Sequence, residues 1–249
     1  MKRKKKNIGN VILLKNITSY KELDFAKTNF IGTVSHELKT PISSIKMSLQ
    51  LLENKQIGDL NKEQSELVEN IKEDTQRLLK INSELLNMTQ VESGSIQLNK
   101  MRTSVNEVIE YAVNTVKSAA EQKSIQIEIL SPNDSTILAD KEKTAWVITN
   151  LLSNAIRYAD ENSTIKIKIE EALNNKIEIS VTDQGQGILP EYIDKIFDRY
   201  YRVTGTHKDG TGLGLSISKE FIETQGGSIS VKSEYGVGST FVVSLEGES

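Results

Sequence analysis

Cysteine is absent from the 249 residues, which excludes disulfides, thiolate metal sites and cysteine nucleophiles and fits a reducing, cytoplasmic setting. Histidine occurs only twice, at His36 and His207, too far apart for a histidine-rich metal cluster. No apolar run approaches the roughly 20 residues of a membrane span. The longest unbroken one is a short V-I-L-L at 11–14, and no apolar segment behind the basic start has the form of a signal peptide. The net charge of −3 provides no bulk basic field, so nucleic acid is not an expected partner. What remains, 37% hydrophobic and 26% charged, is the composition of a globular chain with room for one large or two modest domains.

The stretch F-I-G-T-V-S-H-E-L-K-T-P-I-S-S-I, residues 30–45, carries helical periodicity. At about 100° per residue, Phe30, Ile31, Val34, Leu38, Ile42, Ile45, Leu49 and Leu52 form one stripe that Leu23 extends upward. His36 falls opposite its centre and is expected to point into solvent, with Glu37 next to it and Thr40 one turn on. Pro41 removes a backbone N–H and is expected to kink or loosen the helix there. The first helix is predicted from about Ser19 to Asn54. A turn with Gly58, Asp59 and Asn61 follows, then a second helix from about Lys62 to Glu92. Its apolar positions are Leu67, Ile71, Leu78, Ile81, Leu85 and Met88. Two such helices cannot bury their stripes against each other alone, so a homodimer forming a four-helix bundle is expected.

From Ser104 the pattern changes. Ser104 to Glu107 reads as a capping box opening a helix to about Lys123. Residues 125–130, 164–170, 176–182, 227–234 and 239–245 alternate as strands. Asp140 is placed as the cap of a helix ending near Tyr158, and 212–225 as another helix. The expected class is α+β: a helical hairpin at 19–94 followed by a two-layer α/β sandwich at 95–249. Residues 1–18 form a flank whose basic start M-K-R-K-K-K-N reads as a solvated terminus or a juxtamembrane segment.

The second half carries a constellation suited to a nucleotide. Asn150, Asn154, Arg157 and Tyr158 lie at i, i+4, i+7 and i+8, on one helix face. Two carboxamides there can offer oxygens to a Mg²⁺ ion that also holds phosphates, although surface asparagines are more often simply solvated. Asp183, Gly185 and Gly187 close a strand, where a buried carboxylate can accept an adenine amino N–H and glycines permit close backbone approach. Gly210, Thr211, Gly212, Leu213 and Gly214 open a helix, whose N-terminus favours phosphate. Neither a Walker A pattern nor a dinucleotide fingerprint is present. Between the two glycine motifs, about 186–209, a lid segment carries Phe197, Arg199, Tyr200 and Arg202.

S-H-E-L-K-T-P at 35–41, N-L-L-S-N-A-I-R-Y at 150–158 and the two glycine motifs, in that order, resemble the sensor histidine kinases of two-component systems. The resemblance runs from about Asp24 to the C-terminus, and V-I-L-L-K-N-I-T before it resembles the last strand of a PAS sensor domain. It implies an ATP-dependent autokinase in which His36 takes the γ-phosphoryl group and passes it to an aspartate on a response regulator receiver domain. It further implies that Glu37 orients the imidazole, that Thr40 serves a phosphatase activity towards the regulator, and that Asn154 ligates Mg²⁺. Asn150, Arg157, Tyr158, Asp183 and the glycine motifs would contact ATP, and Arg199 would meet the γ-phosphate. Arg157 stands where lysine is common and Tyr200 where phenylalanine is usual. The chain is expected to be a kinase core whose sensor lies elsewhere, on the cytosolic side of the inner membrane in a membrane-anchored longer form. An ATP-driven conformational clamp of the same ATPase fold is the alternative, and a nucleophilic histidine on an adjacent hairpin discriminates against it.

Overall fold

The computed structural model describes residue 16 and residues 18–94, 96–131, 134–203 and 210–248, with the side chains of residues 17–25 and 27 outside that description. The expected strand at 11–14, the side chain of Leu23, and His207 therefore lie outside the described residues. α1 (Thr18–Leu52) and α2 (Lys62–Glu92) form an antiparallel hairpin. α1 runs through Pro41 as one continuous helix, although Pro41 has no N–H to donate to the Glu37 carbonyl. A full capping box starts α2: the Asn61 side chain accepts from the Gln64 N–H at 2.8 Å, and the Gln64 side chain accepts from the Asn61 N–H at 2.9 Å.

The single apolar stripe expected on each helix divides into two seams. Inside the hairpin, Ser35, Ile42 and Leu49 of α1 are buried, as are Val68, Thr75 and Asn82 of α2, each set at seven-residue spacing. Such a repeat keeps two helices in contact along a shallow left-handed wrap. The larger side chains lie on a second seam that no described residue covers. Phe30 is 69% exposed and Leu67 61%, and Leu38, Ile45, Leu52, Ile71 and Leu78 are also exposed. Burial inside the hairpin thus goes partly to small and polar residues, which periodicity of large apolar residues does not reveal.

The rest of the chain is a mixed sheet covered on one face by helices. β1 (Lys100–Ser104) pairs antiparallel with β3 (Thr136–Asp140) as a small separate ribbon. Neither strand is apparent from alternation, because each is five residues long and exposes apolar Met101 or Leu138. The main sheet holds β2 (Gln126–Leu130), β4 (Thr164–Ala172), β5 (Lys176–Asp183), β6 (Ser228–Glu234) and β7 (Gly238–Glu246), in the order β2-β4-β5-β7-β6. Only β2 and β4 pair in parallel, and the helix α4 (Lys141–Tyr158) lies in the crossover between them. In β4, Ile165, Ile167 and Ile169 point into the core while Lys166, Lys168 and Glu170 face out, so one face is dry and one is wet.

Three helices supply the opposite layer: α3 (Val105–Gln122), α4 and α6 (Gly214–Thr224). Ser104 caps α3 by accepting the Glu107 N–H at 3.3 Å. The expected capping box is one-sided, because the Glu107 carboxylate goes instead to Lys141 at 2.6 Å. Asp140 caps α4 with one oxygen on the Lys143 N–H and uses the other on the Asn99 N–H, tying α4 to the segment before β1. The hairpin does not stand apart from this layer: Met88 and Val91 near the end of α2 are buried in the same core as Leu213 and Ile217.

The C-terminal end of α4 is held by a side chain from outside that helix. The Lys123 ammonium donates to the carbonyls of Ile156 at 2.8 Å, Arg157 at 3.1 Å and Ala159 at 3.5 Å. A cation there satisfies carbonyls that the helix itself cannot and complements the helix dipole. Lys123→Met keeps the aliphatic stem and removes these bonds. We expect a stability loss of about 1–3 kcal/mol in urea denaturation, and an unchanged unfolding midpoint would show that water replaces the ammonium at no cost.

Candidate functional site

A cavity of about 470 Å³ opens at the edge of the helical layer, between α4, the end of β5, the start of α6 and α2. Its volume is within the usual range for small-molecule sites. Helix α4 brings Asn150, Asn154, Arg157 and Tyr158 to it, as their spacing on one helix face requires. Asn150 is 7% exposed, and its amide donates to the Ser218 hydroxyl at 3.0 Å. Its carboxamide also rests directly on Gly214: a β-carbon built there would come within 2.5 Å of the Asn150 Oδ1. Gly214 is therefore needed first for the meeting of α4 with α6.

The floor is Asp183, at the end of β5 and 6% exposed. Its carboxylate accepts the Gly185 N–H at 2.9 Å. Burial raises its pKa above the ordinary aspartate range, and backbone N–H groups, including those of Gly185 and Ser239, offset part of that rise. The glycines beside it are demanded by the protein's own packing. A β-carbon at Gly185 would strike the Tyr158 carbonyl, and one at Gly187, whose φ is +66°, would strike the Glu234 carbonyl. Gly187 lines the cavity and Gly185 lies behind it.

The second glycine motif curves over the cavity. Gly210, Thr211, Gly212 and Gly214 line it, while Leu213 is buried in the core and donates its N–H to the Thr211 hydroxyl at 3.2 Å. Gly212 has φ +74°, with the Tyr200 backbone directly against it, and its carbonyl accepts the Tyr200 N–H at 3.0 Å. That contact joins the lid to the loop. Among its described residues the lid contains one short helix, α5 (Pro190–Ile193). Phe197 anchors it edge-on against Phe241, with ring centres 6.5 Å apart.

Of the two lid arginines, Arg202 lines the cavity and Arg199 does not. Arg199 sits outside, 3.5 Å from Glu220 on α6 and 3.9 Å from Glu92 on α2. The spacing in F-D-R-Y-Y-R could not separate the two, because their orientation depends on the positive φ of +62° at Tyr200. Sequence reasoning also missed the wall contributed by α2. Arg77, Lys80, Ile81 and Glu84 all line the cavity, and Glu84, 3% exposed, accepts a hydrogen bond from the Thr211 hydroxyl. Their spacing of three and four residues was the available signal, masked by the neighbouring leucines. His36, Glu37 and Thr40 lie away from the cavity, exposed on α1. They sit at the level of Asn82, whose amide donates to the Ser35 carbonyl at 2.7 Å.

The donor set fits a nucleotide with its metal. Arg77, Lys80, Arg157 and Arg202 face two carboxylates, Glu84 and Asp183, so the lining favours an anion. Among the described residues no three His, Cys, Asp or Glu side chains converge on a metal position. A cation here would have to share a carboxamide with ligand oxygens and water, which is the coordination Mg²⁺ prefers.

Comparison with known proteins places both halves. Residues 26–94 match the His Kinase A (phospho-acceptor) domain, and residues 139–249 match the histidine kinase-, DNA gyrase B- and HSP90-like ATPase family. The chain is 32% identical over 243 residues to Sensor protein SrrB of Staphylococcus aureus, covering 95% of this chain and 41% of that protein. It thus spans less than half the length of the curated relatives it matches. The crystal structure of full-length ShkA in complex with AMPPNP superposes with a TM-score of 0.71 at 26% identity, over 89% of this chain and 46% of that one. The catalytic domain of histidine kinase ThkA gives 0.53 at 31%, over 59% of this chain and 95% of that one. No described helix is long and apolar enough to cross a membrane. With a phospho-acceptor hairpin leading into an ATPase sandwich on one continuous chain, this protein belongs to the sensor histidine kinases.

Proposed function

We propose that this chain is an ATP-dependent autokinase core that phosphorylates His36 and passes the group to an aspartate of a response regulator. The observation that carries this is the joint arrangement of an exposed histidine on a helical hairpin and a cation-rich cavity of about 470 Å³ against the same hairpin. In this scheme one imidazole nitrogen of His36 attacks the γ-phosphorus of ATP in line, the bond to the bridging oxygen breaks, and ADP leaves. Glu37 holds the other ring N–H, which fixes the tautomer and raises the nucleophilicity. Asp183 accepts from the adenine amino group, and Arg157, Arg202 and the Thr211 loop hold phosphate oxygens. Mg²⁺ would be held by Asn154 together with phosphate oxygens, and it would spread the charge of the transferring group.

The uncovered seam of the hairpin supports a homodimer in this scheme. Phe30, Leu38, Ile45 and Leu52 of α1 and Leu67, Ile71 and Leu78 of α2 form one apolar surface that a second hairpin would bury as a four-helix bundle. Release of the phosphoryl group from the regulator falls to Thr40, exposed one turn beyond His36, whose hydroxyl would align an attacking water.

Incubation with labelled ATP and Mg²⁺ tests the main assignment. The label should be lost in acid and persist in base, as a phosphoramidate does, and His36→Gln should abolish it while nucleotide still binds. Acid-stable label, or label undiminished in the variant, contradicts it.

For Asp183 the sign of a pH effect follows from its raised pKa. Burial favours the protonated acid, so its contribution to apo stability is present below the unfolded value and is lost as pH rises through the folded one. Nucleotide affinity runs the other way, because adenine needs the ionised acceptor. ADP affinity measured by calorimetry should fall as pH drops through the raised pKa, and Asp183→Asn should bind weakly with a flatter profile. Parallel profiles would remove Asp183 from adenine recognition.

Thr40→Ala should keep most autophosphorylation and slow decay of phosphorylated receiver by roughly tenfold, about 1.4 kcal/mol of lost positioning. Equal decay rates would leave Thr40 a purely structural residue.

A further inference from the structure

The α2 wall of the cavity is not accounted for by an ATPase sandwich closed on itself. Lys80 and Glu84 lie one turn apart on α2 with 4.0 Å between ammonium and carboxylate, and both line the cavity together with Asn154, Arg157 and Thr211. We propose that Lys80 of the hairpin is a phosphate-binding residue of the nucleotide site, so that the polyphosphate of a nucleoside diphosphate or triphosphate is held by α2 as well as by the sandwich. This deepens the nucleotide-site assignment above and rests on it.

Three observations converge on this. First, the cations of two structural units meet here. Burial pushes the Lys80 pKa down and the Arg157 guanidinium pushes it the same way, while Glu84 partly offsets both. Like charges gathered in a partly desolvated site are stabilised by an anion between them, and a phosphate chain supplies one. Second, the carboxylate that faces Lys80 is already committed. Glu84 is 3% exposed and accepts from the hydroxyl of Thr211, in the loop expected to cradle phosphate. That bond pins α2 to the glycine loop and keeps Lys80 at the cavity. Third, the position is anchored on the other side of α2. Asn82, midway between Lys80 and Glu84, donates to the Ser35 carbonyl beside His36. Residues that would read the phosphates and the residue that would receive one are therefore fixed on the same tier of the hairpin.

Glu84 acts in the opposite sense to Lys80. Its negative charge neutralises Lys80 in the absence of ligand and repels an incoming phosphate, so the pair sets how strongly the hairpin holds a nucleotide. Lys80 is half-exposed and Glu84→Gln retains an oxygen for Thr211, so neither change removes a core contact.

The test is calorimetric titration of the full chain and its variants with ADP and with adenosine at fixed pH and ionic strength. Lys80→Met should weaken ADP binding by roughly tenfold, about 1.4 kcal/mol, and leave adenosine binding within about twofold. Lys80→Arg should restore most of the loss, and Glu84→Gln should tighten ADP binding. The proposal is overturned if Lys80→Met leaves ADP affinity unchanged, if it weakens ADP and adenosine equally, or if Glu84→Gln weakens ADP as much as Lys80→Met does. If the wild-type chain binds neither ligand, the nucleotide-site assignment itself falls, and this proposal with it.

Discussion

The meeting of α4 with α6 at Asn150 and Gly214 is the constraint from which the rest of the site follows. A carboxamide buried to 7% exposure must find partners, because an unpaired buried amide costs several kcal/mol. Asn150 finds one in Ser218, one turn into α6. That bond requires the start of α6 to lie directly over Asn150, with no side chain at Gly214. Once it does, the N-terminal end of α6 and its glycine loop face the same space as Asn154, Arg157 and Tyr158. Trp146, one turn earlier on α4, packs edge-on against Phe221 of α6 at 5.5 Å and keeps the two helices aligned. Two motifs more than fifty residues apart thus become one wall through a single close approach.

The same helix layer explains why the hairpin cannot be described separately from the sandwich. Met88 and Val91 enter the sandwich core, Gln90 accepts from Lys143 at 3.2 Å, and Glu92 lies within 3.9 Å of Arg199. Apolar burial supplies most of the adhesion and the polar contacts set its orientation. The exposed ion pair at Arg199 contributes little on its own. It does hold the lid arginine outside the cavity and leave Arg202 to line it. A lid joined to the glycine loop at Tyr200 and to α2 at Arg199 must shift both joins if it moves.

Much of this was legible in the chain. Alternation in β4 and β5 is strict because one face of the sheet is dry and the other wet, and Ser104 and Asp140 mark helix starts because orphan N–H groups need acceptors. The face of α4 followed from arithmetic on 3.6 residues per turn. What escaped has common physical causes. β1 exposes its first three residues and β3 alternates only over Ile137, Leu138 and Ala139, runs too short for periodicity to announce a strand. Lys123 caps a helix from outside it, and nothing local to α4 announces that. The roles of Arg199 and Arg202 depend on one positive φ at a tyrosine. The packing demand on Gly185 and Gly187 comes from the carbonyls of Tyr158 and Glu234, which lie far away in sequence.

The hairpin shows most clearly why large apolar residues mislead when two surfaces compete for them. α1 and α2 touch along Ser35, Ile42 and Leu49 against Val68, Thr75 and Asn82, while Leu38, Ile45, Leu52, Leu67, Ile71 and Leu78 face outward. A seam of mixed size and polarity adds less adhesion than an all-leucine one, but polar seam residues specify register. At this tier the specification is strong. The Asn82 amide grips the Ser35 carbonyl, and Ser35 Oγ and Asn82 Oδ1 are buried without a partner. A shift of one residue along α1 would bring Val34 or His36 to the seam in place of Ser35. The first would leave the Asn82 amide facing a branched apolar side chain, and the second would bury the imidazole. Because the buried site filled by Ser35 suits neither the bulk of Val34 nor a buried imidazole, packing at this tier holds the rotation of α1 that keeps His36 outward. Ser35, adjacent to the histidine, thereby fixes its availability more directly than the apolar stripe does.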